Sequence, residues 1–330
     1  MTTGRLGVLL LNLGGPDSRE AIKPFLTNLF NDREIIRLPG GRLGQKLVAW
    51  IIVRARLREV ERNYDSIAGR SPILERTTRQ ARALERTLRE DQGVEALVRP
   101  AMRYWHPFAE EALAEMTEQG IRRIVALSLY PQYSMATTGS SVNELRRVLQ
   151  RDSPGYFDVS IIDRWPTLPG YLDALARRVE QTLADIPEPR RDRTALLFSA
   201  HGLPADFIER GDPYLDDVGA TVEGVLKRLS VQRLVRLGYQ SRVGPVKWLE
   251  PRTEQVLREL ADAGCRDVVV IPISFVADHI ETLYEIDQQL AGTARELGYV
   301  TFRRTRALDD DPTFIGALAR LLRMHLVSHG

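Results

Sequence analysis

At 330 residues the chain exceeds the usual size of one domain, and 43% hydrophobic with 27% charged residues is ordinary for a globular protein. A net charge of +2 gives no reason to expect nucleic acid as a partner. The single cysteine, Cys265, excludes an internal disulfide and a four-cysteine iron–sulfur site, and reads as a small packed residue. The only N-terminal apolar run, residues 6–13, is too short and wrongly flanked for a signal peptide or a membrane span, so a cytoplasmic protein is expected.

Residues 6–13 are continuously apolar, which suits a strand buried on both faces of a parallel sheet. Gly14-Gly15-Pro16 turns the chain, and Asp17 is placed to cap a helix reaching about residue 30. Residues 31–75 read as irregular. They hold Leu38-Pro39-Gly40-Gly41, then the apolar run 47–53, then Arg54, Arg56 and Arg58. Apolar residues followed by basic ones suit either a core helix with a charged end or a lip touching a membrane surface. A helix to about residue 90, a strand at 94–102 ending in Arg103-Tyr104, a helix at 107–119 and a strand at 121–129 follow. The run 130–141 leads into a helix ending near residue 150, and a fourth strand is expected at 157–162.

The second half repeats this plan. Strands are expected at 194–199, ending in Ser199-Ala200-His201-Gly202, at 232–237 and at 267–271, with helices from 213 and from 250 to 263. A short strand near 299–302 and a helix at 312–325 finish the chain. Strands alternating with helices predict an α/β architecture with parallel sheets. The halves also match in detail. Residues 5–16 (RLGVLLLNLGGP) line up with 193–204 (RTALLFSAHGLP), and 120–126 (GIRRIVA) with 264–270 (GCRDVVV). Between these landmarks the first half is longer by roughly 44 residues, and 31–75 accounts for the excess. Two domains follow, 1–165 with 31–75 as an inserted lip, and 166–330, whose last helix is free to pack back on the first. The alignment makes Leu13 and His201 equivalent strand ends.

Ligands in open α/β sheets bind outside the carboxyl ends of the strands. Two such domains facing each other make a cleft lined by both sets of loops. The densest chemistry lies at residues 272–287, PISFVADHIETLYEID, where a buried strand gives way to a helix. Asp278, Glu281 and Glu285 share one helical face there, beside His279. Like charges at that spacing repel, so the row suits a divalent cation or a proton relay, although an acidic first turn also complements the helix dipole. His201 ends a buried strand, which favours a site role over a turn role. His279 reads as support rather than as a metal ligand. Tyr104, Tyr133 and Trp248 suit packing as well as stacking, Ser140 and Ser141 suit helix caps, and His106, His325 and His329 read as surface residues. Gly14-Gly15 does not complete a dinucleotide fingerprint, which disfavours a nicotinamide dehydrogenase.

The motifs NLGGP (12–16), GRSPI (69–73), YPQYSMATTGSS (130–141), FSAHGLP (198–204), GYQSRVGPVKWL (238–249) and DHIETLYE (278–285) resemble the ferrochelatase family, in its order and over nearly the whole chain. The resemblance implies two Rossmann-like domains related by a pseudo-twofold, the class II chelatase type. It also implies insertion of Fe²⁺ into a free-base porphyrin, the last step of haem synthesis. Two pyrrole N–H protons must leave, and His201, neutral near pH 7, is the natural acceptor. The resemblance gives His201 the catalytic role, with metal binding as a second one. Glu281 is then metal ligand or second acceptor, Asp278 and Glu285 extend a proton or metal relay, and His279 holds the network. Leu13, Tyr104, Trp248 and Phe275 fit the walls of a flat apolar ligand. Arg54, Arg56 and Ser71 fit its propionates, and Arg103 organises the site.

Departures from the family refine this. Met135 stands where some members place a cluster cysteine, and no cysteine-rich tail follows. No prosthetic group, and in particular no 2Fe–2S cluster, is therefore expected, with Fe²⁺ as a substrate. Coproporphyrin-type members tend to carry Tyr at the Leu13 position, so protoporphyrin IX is the expected substrate. The dimer-supporting tail is absent, so a monomer is expected. The lip suggests peripheral contact with the inner face of the cell membrane. Alternatives are a coproporphyrin ferrochelatase, a cobalt or nickel chelatase for another tetrapyrrole, and a non-catalytic tetrapyrrole carrier.

Overall fold

The computed structural model describes residues 5–36, 38, 40–230, 233–242, 244 and 246–328. Pro39, Gln232, Val243, Pro245 and His329, named above, lie outside the described residues. The chain forms two compact units, Met1–Trp165 with Ile315–Gly330, and Pro166–Phe314.

In the first unit the elements run β1 (Leu6–Asn12), α1 (Arg19–Asn31), α2 (Gly41–Asp65), α3 (Ile73–Gln92), β2 (Ala96–Met102), α4 (Ala109–Glu118) and β3 (Arg123–Ser128). A short π-helix, π1 (Met135–Gly139), then leads into α5 (Ser140–Asp152) and β4 (Asp158–Ile162). The second unit runs α6 (Pro169–Ala184), α7 (Glu188–Arg191), β5 (Ala195–His201), α8 (Ala205–Glu209), α9 (Tyr214–Leu226), β6 (Val235–Gln240), α10 (Thr253–Asp262) and β7 (Asp267–Pro272). A longer π-helix, π2 (Glu281–Leu290), continues as α11 (Ala291–Glu296), then β8 (Thr301–Arg304); α12 (Pro312–Ser328) closes the chain, most of it belonging to the first unit.

Each unit holds a four-stranded parallel sheet, ordered β2-β1-β3-β4 and β6-β5-β7-β8. The repeat read from the sequence reaches the register of the ladders. Gly7 sits opposite Ile124, and their counterparts Ala195 and Val268 sit opposite each other. The apolar runs that became β1 and β5 lie inside their sheets, covered on both faces. Leu9, Leu11, Ile124 and Leu145 form one core, and Leu197, Leu257, Val270 and Ile286 the other. Each such fully buried side chain contributes about 1.5–3 kcal/mol.

The expectation of an irregular segment at 31–75 is corrected. Most of it is the 25-residue helix α2. Only Gln45, Ala49, Val53 and Tyr64 of α2 are buried. The side chain of Gln45 knits the turn before the helix, donating to the carbonyls of Phe30 and Ile36 and accepting from the Leu38 amide. Leu43, Leu47, Trp50 and Ile51 are exposed by 84, 62, 57 and 51%. Two further corrections are local. Ser18, not Asp17, caps α1, accepting from the Ala21 amide. The stretch after Trp165 carries the unforeseen helices α6 and α7. Among the described residues no helix is long and apolar enough to cross a membrane.

Candidate active site

In the second unit the chemistry gathers at the carboxyl edge of the sheet, where β5 ends in His201, β6 in Gln240 and β7 in Pro272. His201 is held by its backbone. Its amide donates to Ser274 Oγ at 2.9 Å and its carbonyl accepts from Tyr214 Oη at 2.9 Å. The Tyr214 proton is thereby committed, so the 2.7 Å contact to Ser274 is donated by the serine. Gly202 follows because the strand β6 passes too close for a side chain. Its amide donates to the Gln240 carbonyl, and a Cβ would lie 2.5 Å from that oxygen.

The His201 imidazole reaches Glu281 at the start of π2, with Nδ1 2.8 Å from Oε2. Burial works against charge on His201. The carboxylate of Glu281, by its charge and its hydrogen bond, and Glu285 behind it, outweigh burial and raise the histidine pKa above its ordinary value. Burial likewise works against charge on Glu281, but the His201 charge and hydrogen bond, with His279 nearby, hold its carboxyl well below the carboxylate range. Both effects favour the charged forms, an imidazolium facing a carboxylate.

Two residues that sequence reasoning missed complete the pair. Ser241 Oγ lies 3.0 Å from Glu281 Oε2 and 2.5 Å from Glu285 Oε2. A hydroxyl has one proton, so the two carboxyls share or compete for it. Ser241 is itself held in the left-handed region, at φ 65°, which is uncommon for a residue with a side chain. Gln240 accepts from Ser199 Oγ and aims its amide nitrogen at Glu281.

The expected carboxylate row is divided. Glu281 and Glu285 meet His201 and Ser241, as above. Asp278 precedes π2 and bonds instead to Arg304 at 2.9 Å and to Thr282 Oγ. His279 is 2% exposed and packs at a tilt against Phe275, with ring centroids 4.1 Å apart. Its Nδ1 donates to the Ala277 carbonyl, and Nε2 stands 3.8 Å from Glu281 Oε1, too far for a hydrogen bond. Phe275 also meets the His201 ring edge-on, and Trp248 is half-buried beside Gly202. Among the described residues no three His, Cys, Asp or Glu side chains form a ready-made metal cage. Cys265 is half-buried, its Sγ directed at the Asp267 carbonyl.

The first unit places Leu13, Arg103 and Tyr104 at the equivalent sheet edge. The amides of Arg103 and Tyr104 donate to the carbonyls of Asn12 and Leu13, and the Ser71 amide donates to Pro16. Leu13 is half-buried and Ser71 buried, its Oγ 2.6 Å from where a Cβ on Gly15 would be. Arg54 is exposed and Arg56 half-buried on α2. Arg103, Tyr104 and Ser140 all donate to Asp32 Oδ2, at 2.8, 2.7 and 2.6 Å. Burial would raise the Asp32 pKa, but Arg103 and the two hydroxyls outweigh it and lower it. Tyr104 is 1% exposed, so its ring packs inside the unit and presents no face to a ligand. Ser140 belongs to this network, beyond the capping role expected of it. His106 is exposed, as expected, and meets Glu111 at 2.7 Å, whereas His325 is half-buried.

Comparison with known proteins agrees along the whole length. The ferrochelatase family model matches residues 5–326. A protein named ferrochelatase from Geotalea daltonii is 50% identical over 319 residues, 97% of each chain. Another of that name from Cyanothece sp. is 46% identical over 321 residues, 97% of this chain and 82% of the other. The solved structure of SirB from Bacillus subtilis with Fe³⁺ has a TM-score of 0.55 at 13% identity, covering 97% of this chain and 94% of that one. At that identity the likeness shows the fold alone, an α/β chelatase fold of two four-stranded parallel sheets.

Proposed function

Because the chain belongs to the ferrochelatase family, we propose that it inserts Fe²⁺ into protoporphyrin IX, forming protohaem and releasing two protons. It is a metal chelatase of the lyase class, and its pathway is haem synthesis. The observation that carries the reading is the pair of half-buried His201 and buried Glu281, continued by Ser241 and Glu285.

Each pyrrole N–H bond must break with its electron pair left on nitrogen, where it becomes a bond to iron. His201 Nε2 takes the proton as Nδ1–H moves toward Glu281 Oε2, so the imidazole acts once it is neutral. Glu281 hands the proton on through the Ser241 hydroxyl to Glu285. Glu281 and His201 are also our candidates for guiding Fe²⁺, a substrate here and not a resident metal. Leu13, Trp248 and Phe275 are proposed ring contacts, with Arg54, Arg56 and Ser71 for the propionates. Arg103 and Tyr104 act behind them, through Asp32. Asp278 and His279 serve as supports of the acidic helix. With Cys265 as the sole cysteine, we read the chain as working without a 2Fe–2S cluster, as a cytoplasmic monomer.

Leu13 and the apolar lip favour protoporphyrin over the more carboxylated coproporphyrin. Anaerobic assays with each porphyrin and Fe²⁺ test this. Faster turnover of protoporphyrin is expected. Preference for coproporphyrin would reassign the substrate, and no turnover of either would remove the activity.

Leu43, Leu47, Trp50 and Ile51 recur at helical spacing on one exposed side of α2, among the exposed cations Arg42, Lys46, Arg54 and Arg58. That pattern fits a helix lying on an anionic bilayer, where it would meet a hydrophobic porphyrin. Changing Leu47 and Ile51 to Ser together should lower partition onto phosphatidylglycerol vesicles by about tenfold or more, from the lost apolar burial. Flotation that is unchanged would count against membrane contact through α2.

A further inference from the structure

We infer that Arg304 is a positioning residue for the reaction, fixing the rotation of π2 so that Glu281 and Glu285 face His201. This deepens the reading above and rests on it. Arg304 ends β8, paired in the ladder with Val270 of β7. Its side chain is 10% exposed, and one guanidinium grips the acidic stretch at two places. Nη1 donates to Asp278 Oδ1 at 2.9 Å, just before π2 begins. Nε and Nη2 donate side by side to the two oxygens of Asp287, each at 2.8 Å, within π2 itself. Asp278 is tied back into the same turn by the Thr282 hydroxyl, which also accepts from the His279 amide.

A π-helix bonds i to i+5, a geometry that ordinarily survives for a single turn. π2 spans ten residues, so its own hydrogen bonding is a weak guarantee of rotation. Ser241 and His201 hold the side bearing Glu281 and Glu285. Arg304 holds Asp278 and Asp287, the two acids that do not join them. A twist of π2 would move Glu281 away from its 2.8 Å contact with Nδ1 and disturb both halves of the proton path. The planar fork matters as well as the charge, because the bidentate bond to Asp287 defines a direction that an ammonium cannot. The same pairing draws Asp278 out of the row of acceptors, which accounts for its absence from the contacts of His201.

The test uses the full chain in anaerobic steady-state assays of Arg304→Gln, Arg304→Lys and Asp287→Asn. Asp287 is 37% exposed at its side chain, so its asparagine variant should fold even if Arg304→Gln does not. A positioning role predicts that kcat falls by about tenfold in Asp287→Asn and Arg304→Lys, and further in Arg304→Gln, while KM for the porphyrin stays the same. A purely structural ion pair would lower the melting temperature and leave kcat per folded molecule unchanged. Values of kcat within twofold of wild type in folded Asp287→Asn and Arg304→Lys would overturn the inference with the activity intact. A wild-type protein that turns over no porphyrin would instead overturn the functional reading and this inference with it.

Discussion

Replacing His201 with alanine lowers turnover by about a thousandfold while porphyrin affinity stays nearly constant. The side chain is the group that meets Glu281, whereas the backbone anchors, Ser274 on the amide and Tyr214 on the carbonyl, do not depend on it. The strand end therefore keeps its position in the variant, and what disappears is the acceptor for the pyrrole protons. Glu281 and Ser241 remain, so residual activity persists through a carboxylate alone. Porphyrin binding is read from fluorescence quenching without metal, and turnover from haem absorbance under anaerobic conditions. Turnover close to that of wild type would remove His201 from the mechanism.

Glu281→Gln is expected to lower turnover by about a hundredfold, and to move the acid limb of the pH profile to lower pH. The amide keeps the size of the carboxyl, so Ser241 and Gln240 retain a neighbour of the same shape. The charge is what goes. In the native protein Glu281 raises the His201 pKa against burial, with Glu285 helping. His201 must be unprotonated to accept, so native activity rises with pH through this raised value. Without Glu281 burial dominates, the histidine loses its proton at lower pH, and the limb follows it down. The groups facing the imidazole in this balance are Glu281 and Glu285, with His279 near Glu281 and the Tyr214 hydroxyl on the His201 carbonyl. An acid limb that stays in place would show that Glu281 does not set the protonation of His201.

The sheets were legible because their strands are long apolar runs punctuated by Gly and Pro. The two matched segments prove equivalent down to the register of the ladders β1–β3 and β5–β7. His201 was legible because it sits where such a run stops, and Glu281 because it lies in the acidic stretch that follows one. α2 was not, because its apolar residues lie on two sides, Ala49 and Val53 inward and Leu43, Leu47, Trp50 and Ile51 outward, so no single stripe stands out in the residues. The π form of 281–290 leaves no signature in residue types, and starting the helix at Asp278, which precedes it, grouped that residue with Glu281 and Glu285. Ser241, Tyr214 and Arg304 were missed for a shared reason. Each acts through a partner far away in sequence, and a lone serine, tyrosine or arginine announces nothing by itself. Tyr104 shows the opposite error, a residue at the right edge of the sheet whose ring turns inward to Asp32.

The central claim is that His201 and Glu281 share one proton, with the histidine as its main seat. Titration of the His201 ring by long-range proton–nitrogen NMR, in native protein and in Glu281→Gln, addresses it most directly. A native midpoint above the ordinary histidine value of about 6.5, falling in the variant, is the result this account predicts. A native midpoint at or below that value, unmoved by the substitution, would contradict it.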